Sequence, residues 1–77
     1  MAKISARGAT EIGRVIVHTT GRHNDRRVFV LCSDGRLLSK FVGDAGSFTL
    51  VRRGVERPSV PVLRDIVRGM GYELPAQ

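Results

Sequence analysis

The sequence has one cysteine, no tryptophan and no long apolar run. Cys32 has no second cysteine with which to form an internal disulfide, and it cannot supply a cysteine-rich zinc site in this 77-residue chain. No stretch approaches the roughly 18 consecutive apolar residues of a membrane-spanning helix, and the N-terminus lacks the apolar core of a signal peptide. Together with the lone thiol, these absences predict a cytoplasmic protein without a metal or cofactor.

Catalytic motifs are also missing from the sequence. It contains no nucleophile elbow, and its glycine-containing loop at residues 43–47 lacks the spacing and the lysine of a phosphate-binding loop. His18 and His23 are the only histidines, and Asp25 is the only carboxylate near them, so a metal site would need further ligands. We therefore expect a protein that is not an enzyme, with metal-independent ribonuclease chemistry at the two histidines as the alternative.

Positive charge is the most unusual feature of the composition. The formal net charge is +6 and the isoelectric point is near 11.1, and eleven of the thirteen cationic residues are arginines. A balance this basic in a small domain indicates a polyanionic partner, and the arginine fork suits phosphate groups and guanine edges. A GC-rich genome would also raise the arginine content without any functional demand. Between these explanations, we favour a nucleic-acid partner, DNA in particular.

The strongest structural signal is a hairpin over residues 26–42. Residues 26–32 are rich in the β-branched and aromatic side chains typical of strands, and the apolar-rich run at residues 37–42 reads as the returning strand. Asp34-Gly35 between two apolar runs is typical of a two-residue type I′ turn, in which both residues have positive φ. This turn places Cys32 opposite Leu37 and Val28 opposite Phe41.

Alternation of side chains then divides the hairpin between two faces of the sheet. The predicted core face is almost wholly apolar and carries Val28, Val30, Cys32, Leu37, Ser39 and Phe41. The predicted open face mixes apolar and cationic side chains, namely Arg27, Phe29, Leu31, Leu38, Lys40 and Val42, with Ser33 and Arg36 at its tip. A shift of one residue in register would exchange the two sets.

Three further segments complete the predicted fold. Residues 11–20 form the first strand, with a bulge at Gly13, and residues 47–53 form the last. Ser59 is a good N-cap for a helix whose apolar residues recur at helical spacing, and Gly71 suits the position after its C-terminus. The fold class is α+β, a small antiparallel sheet of three to four strands (β-β-β-β-α) with one C-terminal helix packed on one face. Residues 1–77 form one domain, in which residues 1–10 are a flexible N-terminal arm, a frayed end or a short edge strand.

Two cationic clusters are candidate nucleic-acid-binding surfaces. The first lies on the open face of the hairpin, where Arg27, Arg36 and Lys40 surround Phe29. Cations beside an aromatic ring suit base stacking in single strands, or contacts in a groove of duplex DNA. The second cluster consists of Arg52 and Arg53, which end the last predicted strand, and Arg57, with Arg64 and Arg68 nearby on the helix.

The same open face supports a second interpretation. Phe29, Leu31 and Leu38 would form a contiguous exposed apolar patch, and such patches mark protein contacts. Two hypotheses therefore stay open: a small DNA-binding accessory or regulatory protein, and a non-enzymatic inhibitor or adaptor that docks on a partner or forms a homodimer. Neither hypothesis predicts binding to a membrane or to a small-molecule substrate. Binding to phosphates weakens steeply as salt rises, which separates it from an apolar interface.

Overall fold

The computed structural model describes residues 10–18 and 26–74. An antiparallel sheet with strand order β1-β2-β3-β4 is followed by one helix, so the chain is a small α+β protein of the predicted class. The elements are β1 (Glu11–His18), β2 (Arg26–Cys32), β3 (Leu37–Phe41), β4 (Thr49–Arg52) and α1 (Val60–Gly69). Residues 1–9 of the predicted arm, and the β1–β2 connection that contains His23, lie outside the described residues.

The β2–β3 hairpin differs from the prediction by one residue. Leu31 lies opposite Leu37 and Val28 opposite Lys40, whereas the two-residue turn would have paired Cys32 with Leu37. The loop has three residues, because the Cys32 N–H bonds to the Arg36 carbonyl at 2.9 Å. Gly35 takes the left-handed conformation (φ 90°) and its N–H bonds to the Cys32 carbonyl at 3.0 Å, as in a turn closed by a glycine bulge.

The changed register reverses the assignment of β2 to the two faces of the sheet. The prediction that Val28, Val30 and Cys32 face the helix is wrong, because the extra loop residue rotates β2 relative to β3. The prediction for β3 is confirmed at Leu37, which lies in the core beneath the helix. The core cluster on the helix side of the sheet consists of Val15, Val17, Phe29, Leu31, Leu37, Leu63 and Val67.

The other face of the sheet carries a second, smaller buried cluster. It consists of Val28, Val30, Cys32 and Leu38, with Phe48 packed against it. Ile16 and Leu50 lie on this face as well, because they pair with Val28 and Leu38 across the sheet, and both are about two-fifths exposed (42% and 38%). β2 is therefore apolar on both faces, so its sequence pattern does not distinguish one face from the other.

The start of the helix follows the prediction closely. Ser59 has an extended backbone, and its side-chain oxygen accepts a hydrogen bond from the Val62 N–H at 3.3 Å. The helix starts directly against β1, where a Cβ on Gly13 would lie 2.9 Å from the Val60 Cγ2 atom. The predicted bulge is present at this point, between Glu11 and Gly13.

The end of the helix returns the chain to the sheet. Gly71 has the positive φ (100°) that suits the residue after a helix, and Tyr72 and Leu74 pack against the core as predicted. The Tyr72 ring meets the Phe29 ring with 5.5 Å between centroids. In the described part of the chain, α1 is too short to cross a membrane.

Candidate nucleic-acid interface

The predicted open face of the hairpin does not exist as one surface. Phe29 is 2% exposed and Leu31 is fully buried beneath the helix, while Leu38 lies on the opposite face and is 6% exposed. The prediction that these three side chains form an exposed apolar patch is therefore wrong. The one-residue shift in register is the physical reason, because it turns Phe29 and Leu31 toward the helix.

Arg27 is held in a contact on the helix side of the sheet. Its Nε–H donates a hydrogen bond to the Ser39 Oγ atom at 2.7 Å, and Ser39 is completely buried. The guanidinium carbon lies 4.8 Å from the centroid of the Phe41 ring and 5.7 Å from that of the Phe29 ring, both within cation–π range. We call this arrangement of Arg27, Ser39, Phe29 and Phe41 the arginine clamp.

The other two cations of the first cluster are also engaged by the protein itself. The Arg36 Nε–H donates to the Asp34 Oδ2 atom at 2.7 Å, and the Arg36 side chain is about a quarter exposed (28%). Lys40 lies on the opposite face of the sheet, where its Nζ donates to the Gly46 carbonyl at 3.0 Å and lies 5.5 Å from the Phe48 ring centroid. The three cations therefore do not form one cluster. Their contact with nucleic acid stays a prediction.

The second predicted cluster has a different environment. Arg52 ends β4, and Arg53 and Arg57 lie on the connection to α1; we call residues 52–57 the basic segment. All three arginines are exposed, and within the described residues none of their side chains makes an ion pair, a hydrogen bond or a ring contact. Glu56 is the one carboxylate of the segment, so the formal charge of residues 52–57 is +2.

The basic segment is attached to the tip of the β2–β3 hairpin. The Val55 N–H donates to the Gly35 carbonyl at 3.0 Å, and the Val55 side chain packs against the main core. A Cβ on Gly35 would lie 2.9 Å from the Val55 carbonyl oxygen, so the two backbones approach closely. The backbone in the middle of the segment is therefore hydrogen-bonded to the hairpin tip. Arg36 lies at that same tip, next to Gly35.

The backbone of Arg57 is unusual for a residue with a side chain. It has a φ of 52°, and it is the only residue other than glycine with a positive φ in the described part of the chain. The left-handed conformation costs an L-residue about 1–2 kcal/mol. Arg57 lies on the connection just before the helix, and strained residues of this kind concentrate at functional sites.

The helix that follows adds a weak positive potential. Of residues 60–63, the first turn of α1, none is acidic, so no side chain there offsets the positive end of the helix dipole. Further along the helix the cations have partners: Arg68 forms an ion pair with Asp65 at 2.9 Å, and Arg64 is half-buried and also engaged. The three arginines of the basic segment differ from these helix cations, because none of them has such a contact with the described residues.

Two other reactive side chains of the described residues are the Cys32 thiol and the His18 imidazole. Burial raises the pKa of the Cys32 thiol, with a further contribution from the nearby Asp34 carboxylate, so the reactive thiolate form is disfavoured. His18 is exposed at the end of β1. Across residues 10–18 and 26–74, no three histidine, cysteine, aspartate or glutamate side chains are grouped closely enough to hold a metal ion.

Sequence reasoning overlooked one exposed cation. Arg26, at the start of β2, is exposed, and its side chain makes no hydrogen bond, ion pair or ring contact with the described residues, whereas its neighbour Arg27 is held in the arginine clamp. The alternation of the strand could have signalled this difference, had the register been known. No protein-family model, curated protein or solved structure matches this chain.

Proposed function

We propose that the protein binds nucleic acid, DNA in particular, through the phosphate groups that the basic segment contacts. The observation that carries the proposal is the contrast between two arginine clusters. Arg52, Arg53 and Arg57 are exposed without partners among the described residues, whereas the cations of the hairpin are engaged within the protein. The net charge of +6 supports it, because a basic domain attracts a polyanion over long range.

Phosphate contact suits this segment better than reading of base edges. Base reading requires an element that enters a groove, commonly a helix or a two-stranded ribbon. The arginines lie instead at a strand end and on a connection between two elements. Such contacts fix the position of a protein on the duplex and carry no sequence information directly. The protein therefore acts as a sequence-tolerant accessory factor.

The test is fluorescence anisotropy with a labelled 20-base-pair duplex at several salt concentrations. Each phosphate contact contributes about 0.9 to the slope of log K against log salt for duplex DNA. Replacing Arg52, Arg53 and Arg57 together by glutamine should reduce the magnitude of that slope by about 2.7. Each single replacement should weaken binding by roughly eightfold at 0.1 M salt.

Arg68→Gln is the matched control, because it removes one charge from an exposed side chain that already pairs with Asp65. It should leave the salt slope near that of the unmodified protein. Absence of binding at 50 mM salt would refute the proposed function. A triple variant that binds as tightly as the parent, with an equal slope, would show that the basic segment is not the contact surface.

The alternative hypothesis, docking on a protein partner, required an exposed patch of Phe29, Leu31 and Leu38, and these three side chains are buried. Association with a protein partner or with a second copy of the chain stays a prediction without an assigned surface.

A further inference from the structure

Binding of single-stranded nucleic acid depends on exposed aromatic side chains. Bases that are not paired stack on such rings, and each stacked base raises affinity by roughly tenfold. The sequence has three phenylalanines and one tyrosine, and all four lie among the described residues. The structure therefore shows the surroundings of every phenylalanine and tyrosine ring on which this chain could stack a base.

None of the four aromatic rings offers a free stacking platform. Phe29 is buried against Tyr72, and Tyr72 itself is half-buried. Phe48 is half-buried beneath Lys40, which lies 5.5 Å from its centroid. Phe41 is 40% exposed, but Arg27 lies over its ring at 4.8 Å.

Arg52, the first arginine of the basic segment, lies at the other end of β3 from Phe41, the most exposed of these rings. Phe41 is at the end of β3, opposite Arg27 and away from the hairpin tip, whereas Arg52 pairs with Leu37 at the start of β3. A strand of nucleic acid lying on the segment thus meets guanidinium groups without an adjacent aromatic surface. Its phosphates are contacted and its bases are not.

We infer that the basic segment selects paired nucleic acid over single strands. This inference rests on the proposed function and names its substrate class. Each phosphate contact contributes about 0.9 to the salt slope on duplex DNA but about 0.7 on a single strand. For three contacts at 0.1 M salt, the difference corresponds to roughly fourfold tighter binding of the duplex. Among the described residues, no phenylalanine or tyrosine ring is free to offset that preference by stacking on bases.

The experiment compares three labelled probes of equal length and sequence: a DNA duplex, its single strand and the corresponding RNA duplex. Anisotropy is measured with the full chain from 50 to 200 mM salt. We expect the DNA duplex to bind at least about fourfold more tightly than the single strand at 0.1 M salt, with slopes near 2.7 and 2.1 in magnitude. The RNA duplex shows whether the paired nucleic acid that the protein prefers is DNA or RNA. Tighter binding of either duplex than of the single strand supports the inference.

Phe41→Leu tests the one ring that keeps substantial exposure. The variant should bind both DNA probes as the parent does, after circular dichroism has shown that it is folded. Equal or tighter binding of the single strand by the parent protein would overturn the inference, as would a loss in Phe41→Leu that affects the single strand alone. Failure of every probe to bind at 50 mM salt would instead overturn the proposed function, so the two failures are distinguishable.

Discussion

The arginine clamp predicts that Arg27 acts on stability and that its neighbour Arg26 does not. Replacing Arg27 by alanine removes the hydrogen bond to Ser39 and leaves a buried hydroxyl without its partner, at a cost of about 1–3 kcal/mol. It also removes cation–π contacts with Phe41 and Phe29, worth about 0.5–1 kcal/mol each at partly exposed sites. The expected loss in the free energy of unfolding is therefore about 2–5 kcal/mol.

That loss is large for a chain of this size. A 77-residue domain has a free energy of unfolding of about 4–12 kcal/mol. A loss of 1 kcal/mol lowers the melting temperature of such a domain by about 4–8 °C, so Arg27→Ala should lower it by about 10 °C or more. Arg26→Ala makes the same change of charge one residue earlier, at an exposed side chain, and should stay within about 0.5 kcal/mol of the parent.

The assay is urea unfolding followed by circular dichroism, together with DNA anisotropy below the unfolding transition. A double-mutant cycle isolates the hydrogen bond: in a Ser39→Ala background, Arg27→Ala should cost about 1 kcal/mol less, because no hydroxyl is left without its partner. DNA affinity per folded molecule should change little. If Arg27→Ala instead left stability unchanged and weakened DNA binding with a reduced salt slope, the guanidinium would be a phosphate contact and the clamp argument would be wrong.

Three further predictions concern the hairpin tip, the strained arginine and the thiol. Gly35→Ala should lower the free energy of unfolding by at least about 2 kcal/mol in urea titrations, because φ is 90° and the new Cβ meets the Val55 carbonyl; unchanged stability would contradict the observed turn. Arg57→Gly should be about 0.5–1 kcal/mol more stable than Arg57→Ala while both lose DNA affinity equally, and the reverse order of stability would mean that the left-handed backbone is absent. The Cys32 thiol should resist iodoacetamide at pH 8 and react fully in urea. Because burial raises its pKa, the free energy of unfolding should fall as pH rises above about 8.5, the pKa in the unfolded chain, and rapid alkylation of the folded protein would refute this.

Local sequence signals determined the elements and their ends. Ser59 places an acceptor where the first turn of a helix leaves N–H groups unpaired, and Gly71 supplies the positive φ after the last turn. Gly13 marks the bulge that lets the helix start approach β1. The two helix ends depend on interactions between residues close in sequence, and the bulge was indicated by a glycine inside a strand, so all three could be predicted before any tertiary contact was known.

The register of the central hairpin was decided by tertiary structure. Asp34-Gly35 fits a two-residue turn as well as the three-residue loop that forms, and β2 has apolar side chains on both faces. The hydrophobic pattern therefore favours neither register strongly. The close approach of Gly35 to the Val55 backbone accompanies the loop that forms, and it joins residues that lie far apart in the sequence.

The same distinction applies to the arginines. The sequence determined that the chain is strongly basic and that three arginines lie at or just after the end of the last strand. It did not reveal that Arg27 faces Ser39 and Phe41 while Arg52 and Arg53 face solvent. Charge is a property of composition, but the availability of a charged group for a ligand depends on the side chains that pack around it, and only the folded chain brings those together.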